Sequence, residues 1–265
     1  MEPKRWRFCD RNLSGTAGIV FTTLVSKFSF FEMGFFIFCQ ERKEPMDFKR
    51  ILLLSGHYGS GKTNIAVNLA HTIKQNRERV TIADVDIVNP YFRTSDSRKE
   101  LEAAGIRLIC SSFAGSNVDL PALPAEIYGI TADRGQTAII DVGGDDRGAL
   151  ALGRLRDEIL AEDNYEMLFV INRFRPLTRD AQSTLEILHE IEAAGGIPFT
   201  AVINNSNLGE ETSAEDVLSS TKYAEEVCRL SGLPLKMTTV HHNLYTQLEG
   251  KIPNLFPLKL QDKIQ

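Results

Sequence analysis

The stretch Ile51-Leu52-Leu53-Leu54-Ser55-Gly56-His57-Tyr58-Gly59-Ser60-Gly61-Lys62-Thr63-Asn64-Ile65 decides the fold. Ile51 to Leu54 is a short apolar run, which reads as a strand buried on both faces. Gly56 to Thr63 matches G-x-x-x-x-G-K-[ST]. Residues 64–75 then carry Ile65, Leu69, Ala70 and Ile73 on one stripe, the pattern of an amphipathic helix. Strand, glycine-rich turn and helix in this order make a cradle for an anion. The glycines let backbone N–H groups turn inward, and the helix N-terminus adds its positive end. Gly56, His57, Tyr58, Gly59, Ser60, Gly61, Lys62, Thr63 and Asn64 are therefore the candidate nucleotide-binding residues. Lys62 is expected to reach the β and γ phosphates, and the Thr63 hydroxyl to bind Mg²⁺.

Further along, apolar runs end in polar residues suited to the same chemistry. Val80-Thr81-Ile82-Ala83 leads into Asp84-Val85-Asp86, and Ala138-Ile139-Ile140 ends in Asp141, followed by Gly143 and Gly144. Asp141 is expected in the Mg²⁺ shell, and the glycines in a loop that senses the γ-phosphate. Between these runs, residues 87–94 form a candidate switch containing Pro90 and Arg93. Arg147 is a second candidate cation. The runs 167–171 and 199–203 end in Asn172-Arg173 and Asn204-Asn205. No N-K-x-D guanine signature occurs, which favours ATP over GTP.

Alternation of strand-like and helical patterns continues through the chain. Helices are expected near 96–104, 147–160 and 178–194, with a strand near 106–110 and a last strand at 235–240. Thr212 with Glu215 reads as a capping box before a helix reaching about Leu230. The expected fold class is α/β, a three-layer P-loop NTPase with a mostly parallel central sheet and helices on both faces.

With these motifs in view, residues 46–265 resemble the MinD/ParA group of P-loop ATPases (CobQ/CobB/MinD/ParA nucleotide-binding domain). The resemblance implies that Asp86 orients the attacking water and that Asp84 helps build the metal site. The catalytic set is then Lys62, Asp86 and Asp141, and the metal set Thr63, Asp84, Asp86 and Asp141. It also implies that Asn204 contacts adenine. The group usually carries a second lysine where this chain has His57, reaching across a dimer, so an ATP-dependent homodimer is implied but left open by the histidine. The implied function is a slow Mg²⁺-ATP hydrolase acting as a switch on an unidentified protein partner. Rival readings are an ATP-dependent ligase or kinase acting on a small-molecule substrate, related to dethiobiotin synthetase or cobyrinate amidase, and a metalloenzyme-maturation ATPase. The former would line its pocket with Ser111, Ser112, Asn117 and Asp119.

Composition bounds these readings. A net charge of -5 over 265 residues gives no signal of non-specific nucleic-acid binding. Cys9, Cys39, Cys110 and Cys228 are widely spaced, without metal-ligand or disulfide-scaffold patterns, so a reducing cytoplasm is expected. Residues 1–45 differ from the rest. Lys4, Arg5, Arg7 and Arg11 precede a Phe-rich stretch, 19–39, that contains Lys27 and Glu32. Three readings remain for it: an extension dispensable to the fold, with Met46 as the working start; a membrane anchor; or a segment of unassigned role. The domain division is 1–45 and 46–265, with membrane contact confined to the first.

Overall fold

The computed structural model describes residues 46–85, 97–110, 124–144, 148 and 152–260, which all belong to one unit, Met46–Gln265. Asp86, Arg93, Arg147, Ser111, Ser112, Asn117, Asp119 and the segment 1–45 lie outside the described residues.

The strands are β1 (Ile51–Ser55), β2 (Val80–Val85), β3 (Arg107–Cys110), β4 (Thr137–Val142), β5 (Tyr165–Ile171), β6 (Ala201–Asn204), β7 (Leu235–His241) and β8 (Leu255–Leu258). They form one sheet in the order β3-β2-β4-β1-β5-β6-β7-β8. Every pairing is parallel, so the expected mostly parallel sheet is parallel throughout its described strands. Parallel strands need crossover connections, and helices provide them. These are α1 (Lys62–Lys74), α2 (Arg98–Ala103), α3 (Tyr128–Ala132), α4 (Arg156–Glu162), α5 (Ala181–Gly195), α6 (Ala214–Ser231) and α7 (His242–Leu248).

Side chains alternate across each strand, which divides the core in two. Ile51 and Leu53 point to the face covered by α3, α4, α5 and α6, through Ile130, Ile159, Leu188 and Val227. Leu52 and Leu54 point to the face covered by α1 and α2, through Ile65, Leu69 and Leu101. All of β1 is buried, as the apolar run predicts for a central strand.

Three local expectations are corrected. The capping box stands one residue later than expected, on Ser213 and Asp216, whose side chain and backbone groups bond reciprocally. Thr212 instead closes the preceding turn, its hydroxyl donating to Gly209 O at 2.6 Å. The helix expected from Thr178 starts at Ala181, because Asp180 caps it by accepting from Ser183 N. Finally, the strand expected as the last, near 235–240, is followed by α7 and by a further strand, β8. β8 is four residues long and contains Pro257, which a sheet tolerates at an edge position such as this one. The Asn68 side chain on α1 holds the chain after β8, donating to Lys259 O and accepting from Lys259 N, each at 2.9 Å.

At the opposite end of the sheet from the glycine turn, Arg50 is buried and pairs with Glu162 through both guanidinium nitrogens Nε and Nη2. Its Nη1 also donates to the carbonyls of Ile130 at 3.0 Å and Gln136 at 3.2 Å. Breaking such a pair leaves an uncompensated charge indoors. Glu162→Ala should therefore lower unfolding free energy by about 3–5 kcal/mol. Urea denaturation monitored by circular dichroism checks this.

Candidate functional site

The turn from β1 into α1 is shaped by close approach. Gly56 takes φ +151°, and a Cβ there would stand 2.3 Å from Val170 O on the neighbouring strand β5. Gly61 takes φ +91° as the residue before α1, and its Cβ would stand 2.2 Å from the Asn205 side-chain nitrogen. Only glycine fits either position. Among the described residues, α1 has no side-chain cap and no acidic residue in its first turn. Its positive end is left to face an anion.

Lys62 is buried and folds back over the turn, its ammonium donating to Gly56 O at 3.0 Å and His57 O at 3.4 Å. The loop carbonyls thus meet the cation while the turn wraps around it. Thr63 follows in the first turn of α1 and is 9% exposed. Asn64 accepts from the Asn68 amide through its backbone carbonyl at 2.8 Å. Tyr58 is half exposed at the tip.

Asp84 and Asp141 are partners in the β2–β4 register. Strand alternation puts both on the α1 face, since their neighbours Ala83, Val85, Ile140 and Val142 belong to the other core. Both are buried, at 8% and 1% exposure. Two carboxylates side by side under low exposure repel unless positive charge stands near them. Oxygen donors of this kind, together with the Thr63 hydroxyl, suit a hard divalent cation such as Mg²⁺. Among the described residues no group of three or more His, Cys, Asp or Glu side chains gathers into a metal site; the fourth expected ligand, Asp86, lies outside them. His241 and His242 lie ring to ring, 4.5 Å between centroids, without a third ligand.

Gly144, beyond β4, lies against the turn. A Cβ on it would stand 2.7 Å from Tyr58 N, 2.8 Å from Gly56 O and 2.9 Å from Lys62 Nζ. The segment after Asp141 therefore touches the phosphate cradle through bare backbone.

Asn204, the expected base contact, is fully buried, and its amide is occupied within the domain. It donates to Ser220 Oγ at 2.9 Å and accepts from Ser206 Oγ at 2.7 Å. The structure brings the next residue, Asn205, to the cradle. Asn205 donates to Ser60 O at 2.6 Å and accepts from Thr239 Oγ1 at 2.5 Å. Sequence reasoning missed Asn205 and Thr239 as supports of the loop. It also missed Arg175, whose Nε donates to Gly59 O at 2.8 Å. The structure explains the placement of Asn205: in β6, Val202 joins the α5–α6 core while Ala201 and Ile203 join the α1 core, so alternation sends Asn205 to the α1 side.

His57 is half-buried, and burial, Lys62 and Arg175 hold its imidazole below the usual histidine value, against a smaller raising effect from Glu190. It is neutral at pH 7 and adds no positive charge to the loop.

A glycine turn between the first strand and first helix of a parallel sheet, with a lysine at the turn and an acidic strand end beside it, defines a P-loop NTPase. Residues 51–217 match the CobQ/CobB/MinD/ParA nucleotide binding domain, and the chain belongs to that family. No curated protein matches the chain. Among solved structures, FtsY from Mycoplasma mycoides is 18% identical with a TM-score of 0.50, over 74% of this chain and 62% of that one. Cell division protein FtsY from Thermotoga maritima is 17% identical with a TM-score of 0.47, over 74% and 63%. FlhF complexed with GTP and Mg²⁺ is 13% identical with a TM-score of 0.47, over 74% and 67%. The chain thus spans less than two thirds of either FtsY, and identity this low speaks to the fold alone.

The Asn205 link yields a test. Asn205→Asp keeps the side chain's shape but sets a carboxylate against Ser60 O and beside the anion site. Its affinity for a fluorescent nucleotide should fall by at least about tenfold, with a smaller loss, about 1–3 kcal/mol, in stability. Fluorescence titration and urea denaturation measure the two.

Proposed function

We propose that the chain is a Mg²⁺-ATP-driven switch: a slow ATP hydrolase whose output is the binding and release of a partner. The observation that carries this reading is the contact of Gly144 with the cradle. With no side chain between Gly144 and Gly56, Tyr58 or Lys62, a phosphate gained or lost in the turn acts on Gly144 through direct backbone contact. Linking a local charge change at the cradle to the backbone beyond the acidic strand end is what a nucleotide switch requires.

Adenine is favoured by chemistry at the end of β6. Residues 204–208 read Asn204-Asn205-Ser206-Asn207-Leu208, without a carboxylate to accept the paired N–H donors of a guanine edge. Amide and backbone groups both donate and accept, as an adenine edge needs. The Asn204 amide is held by Ser220 and Ser206 at the end of β6, where the adenine contact is proposed.

Thr63, Asp84, Asp86 and Asp141 would hold Mg²⁺, which neutralises charge on the β and γ phosphates when bound. Lys62 binds and orients the phosphates. Asp86 keeps the expected role of water positioner. A carboxylate suffices there, since phosphoryl transfer depends on placement and charge stabilisation more than on covalent help. A neutral His57 weakens any dimer contact that would depend on charge at that position. The partner is then a different protein or a second copy engaged by other groups.

No helix among the described residues is long and apolar enough to cross a membrane. Cys110 and Cys228 are free thiols. Both facts accord with action in the cytoplasm, where ATP is available.

Phosphate release and size-exclusion chromatography in ADP and in a non-hydrolysable ATP analogue test the switch. The expected result is turnover that ATP, and not GTP, supports, with a change in assembly or partner binding between the two nucleotides. Lys62→Ala should weaken nucleotide binding by about 100-fold, equivalent to about 2.7 kcal/mol. Undiminished binding in that variant would remove the site assignment, and equal turnover of GTP would remove the adenine reading.

A further inference from the structure

Arg175 lies in the connection between β5 and α5, far from the cradle in sequence, yet it meets the cradle at its tip. The connection is built to hold it there. Asn172, 1% exposed, accepts from Phe174 N through its side chain at 3.0 Å and from Arg175 N through its carbonyl at 3.1 Å. The same carbonyl takes the Thr178 hydroxyl at 2.7 Å, and the Asn172 amide donates to Asn207 O at 3.1 Å. Pro176 then begins a 3₁₀ turn, so the backbone on both sides of Arg175 is pinned.

From that base the guanidinium lies along Gly59. Its Nε bonds Gly59 O, and a Cβ on Gly59 would stand 3.4 Å from Nε and 3.6 Å from Cζ. The side chain as a whole is exposed, and beyond Nε it makes no hydrogen bond or ion pair among the described residues. One nitrogen therefore anchors the fork to the loop and leaves the two Nη groups for another acceptor. A guanidinium presented in this way suits phosphate oxygens, which it meets with two parallel donors. The loop also needs the charge: a triphosphate is polyanionic, the adjacent carboxylates Asp84 and Asp141 add to the negative field, and His57 is neutral.

We propose that Arg175 is a polyphosphate-binding residue of this site, clamping the loop tip through Gly59 and supplying in the same chain a second cation beside Lys62. The assignment rests on the P-loop reading above and adds a residue from outside the glycine motif. Its attraction grows with the charge of the ligand, so it favours the triphosphate over the diphosphate.

The test uses the full chain with Mg²⁺-ATP and Mg²⁺-ADP as probes, titrated calorimetrically against Arg175→Ala, Arg175→Gln and Arg175→Lys. Gln can still donate to Gly59 O but carries no charge; Lys keeps the charge. Ala and Gln should both weaken ATP about tenfold, or about 1.4 kcal/mol, with a smaller loss for ADP, and Lys, which keeps the charge but not the fork, should recover part of it. In the nucleotide-free protein the His57 imidazole, followed by NMR, should titrate at higher pH in the Ala and Gln variants, since one of the charges that depresses it is gone. Wild-type ATP affinity in Arg175→Ala overturns the proposal. So does wild-type affinity in Arg175→Gln beside a weak Arg175→Ala, which would make the residue a clamp without an electrostatic role. Failure of the underlying site is separable, because only then does Lys62→Ala also bind ATP normally.

Discussion

The passage of Gly56 beneath the Val170 carbonyl is the constraint from which the rest of the site follows. At that distance the chain leaves β1 with no side chain, turns over the end of β5 and enters α1 through a second glycine pressed on Asn205. A turn this tight cannot satisfy its own polar groups by regular pairing, and buried main-chain groups must find partners somewhere. Here the carbonyls of Gly56 and His57 take the Lys62 ammonium, that of Ser60 takes the Asn205 amide, and that of Gly59 takes Arg175. With these carbonyls engaged by cations and amides, and the Ser60 N–H donating to His57 O at 3.1 Å, the uncapped end of α1 is left to face an anion.

Charge across the sheet supports that polarity. One lateral row on the α1 face runs Asp84, Asp141, Leu54, Leu168. Its acidic end lies at β2 and β4 and its apolar end at β1 and β5. The carboxylates are thus confined to the side where a divalent cation and the phosphates would meet. The opposing positive groups, Lys62 and Arg175, come from the turn and from the β5–α5 connection. Neutral His57 stands between these influences rather than adding to them.

Much of this was legible from the residues. The run Ile51 to Leu54, the glycines and the stripe Ile65, Leu69, Ala70, Ile73 predicted strand, turn and helix, because each depends on neighbours a few positions away. Asp84 and Asp141 were legible as strand ends for the same reason. Thr212 with Glu215 fits the usual capping-box pattern better than Ser213 with Asp216, and only the path of the preceding turn selects Ser213. β8 escaped notice because Pro257 argues against a strand unless the strand is known to lie at an edge. The reach of Asn205 to Ser60 was not legible, because adjacent strand residues differ in the face they point to and which face carries α1 is not a local property.

The residues alone, then, determined that a polyphosphate cradle opens the domain and that a parallel sheet carries it, since glycine conformation, apolar periodicity and helix polarity act over a single turn or strand. Only the tertiary structure decided which distant groups complete the cradle. Asn205 reaches Ser60 across 145 residues and Arg175 reaches Gly59 across 116. Such pairings depend on strand order and on the facing of side chains, set by the packing of the whole sheet rather than by any segment of it.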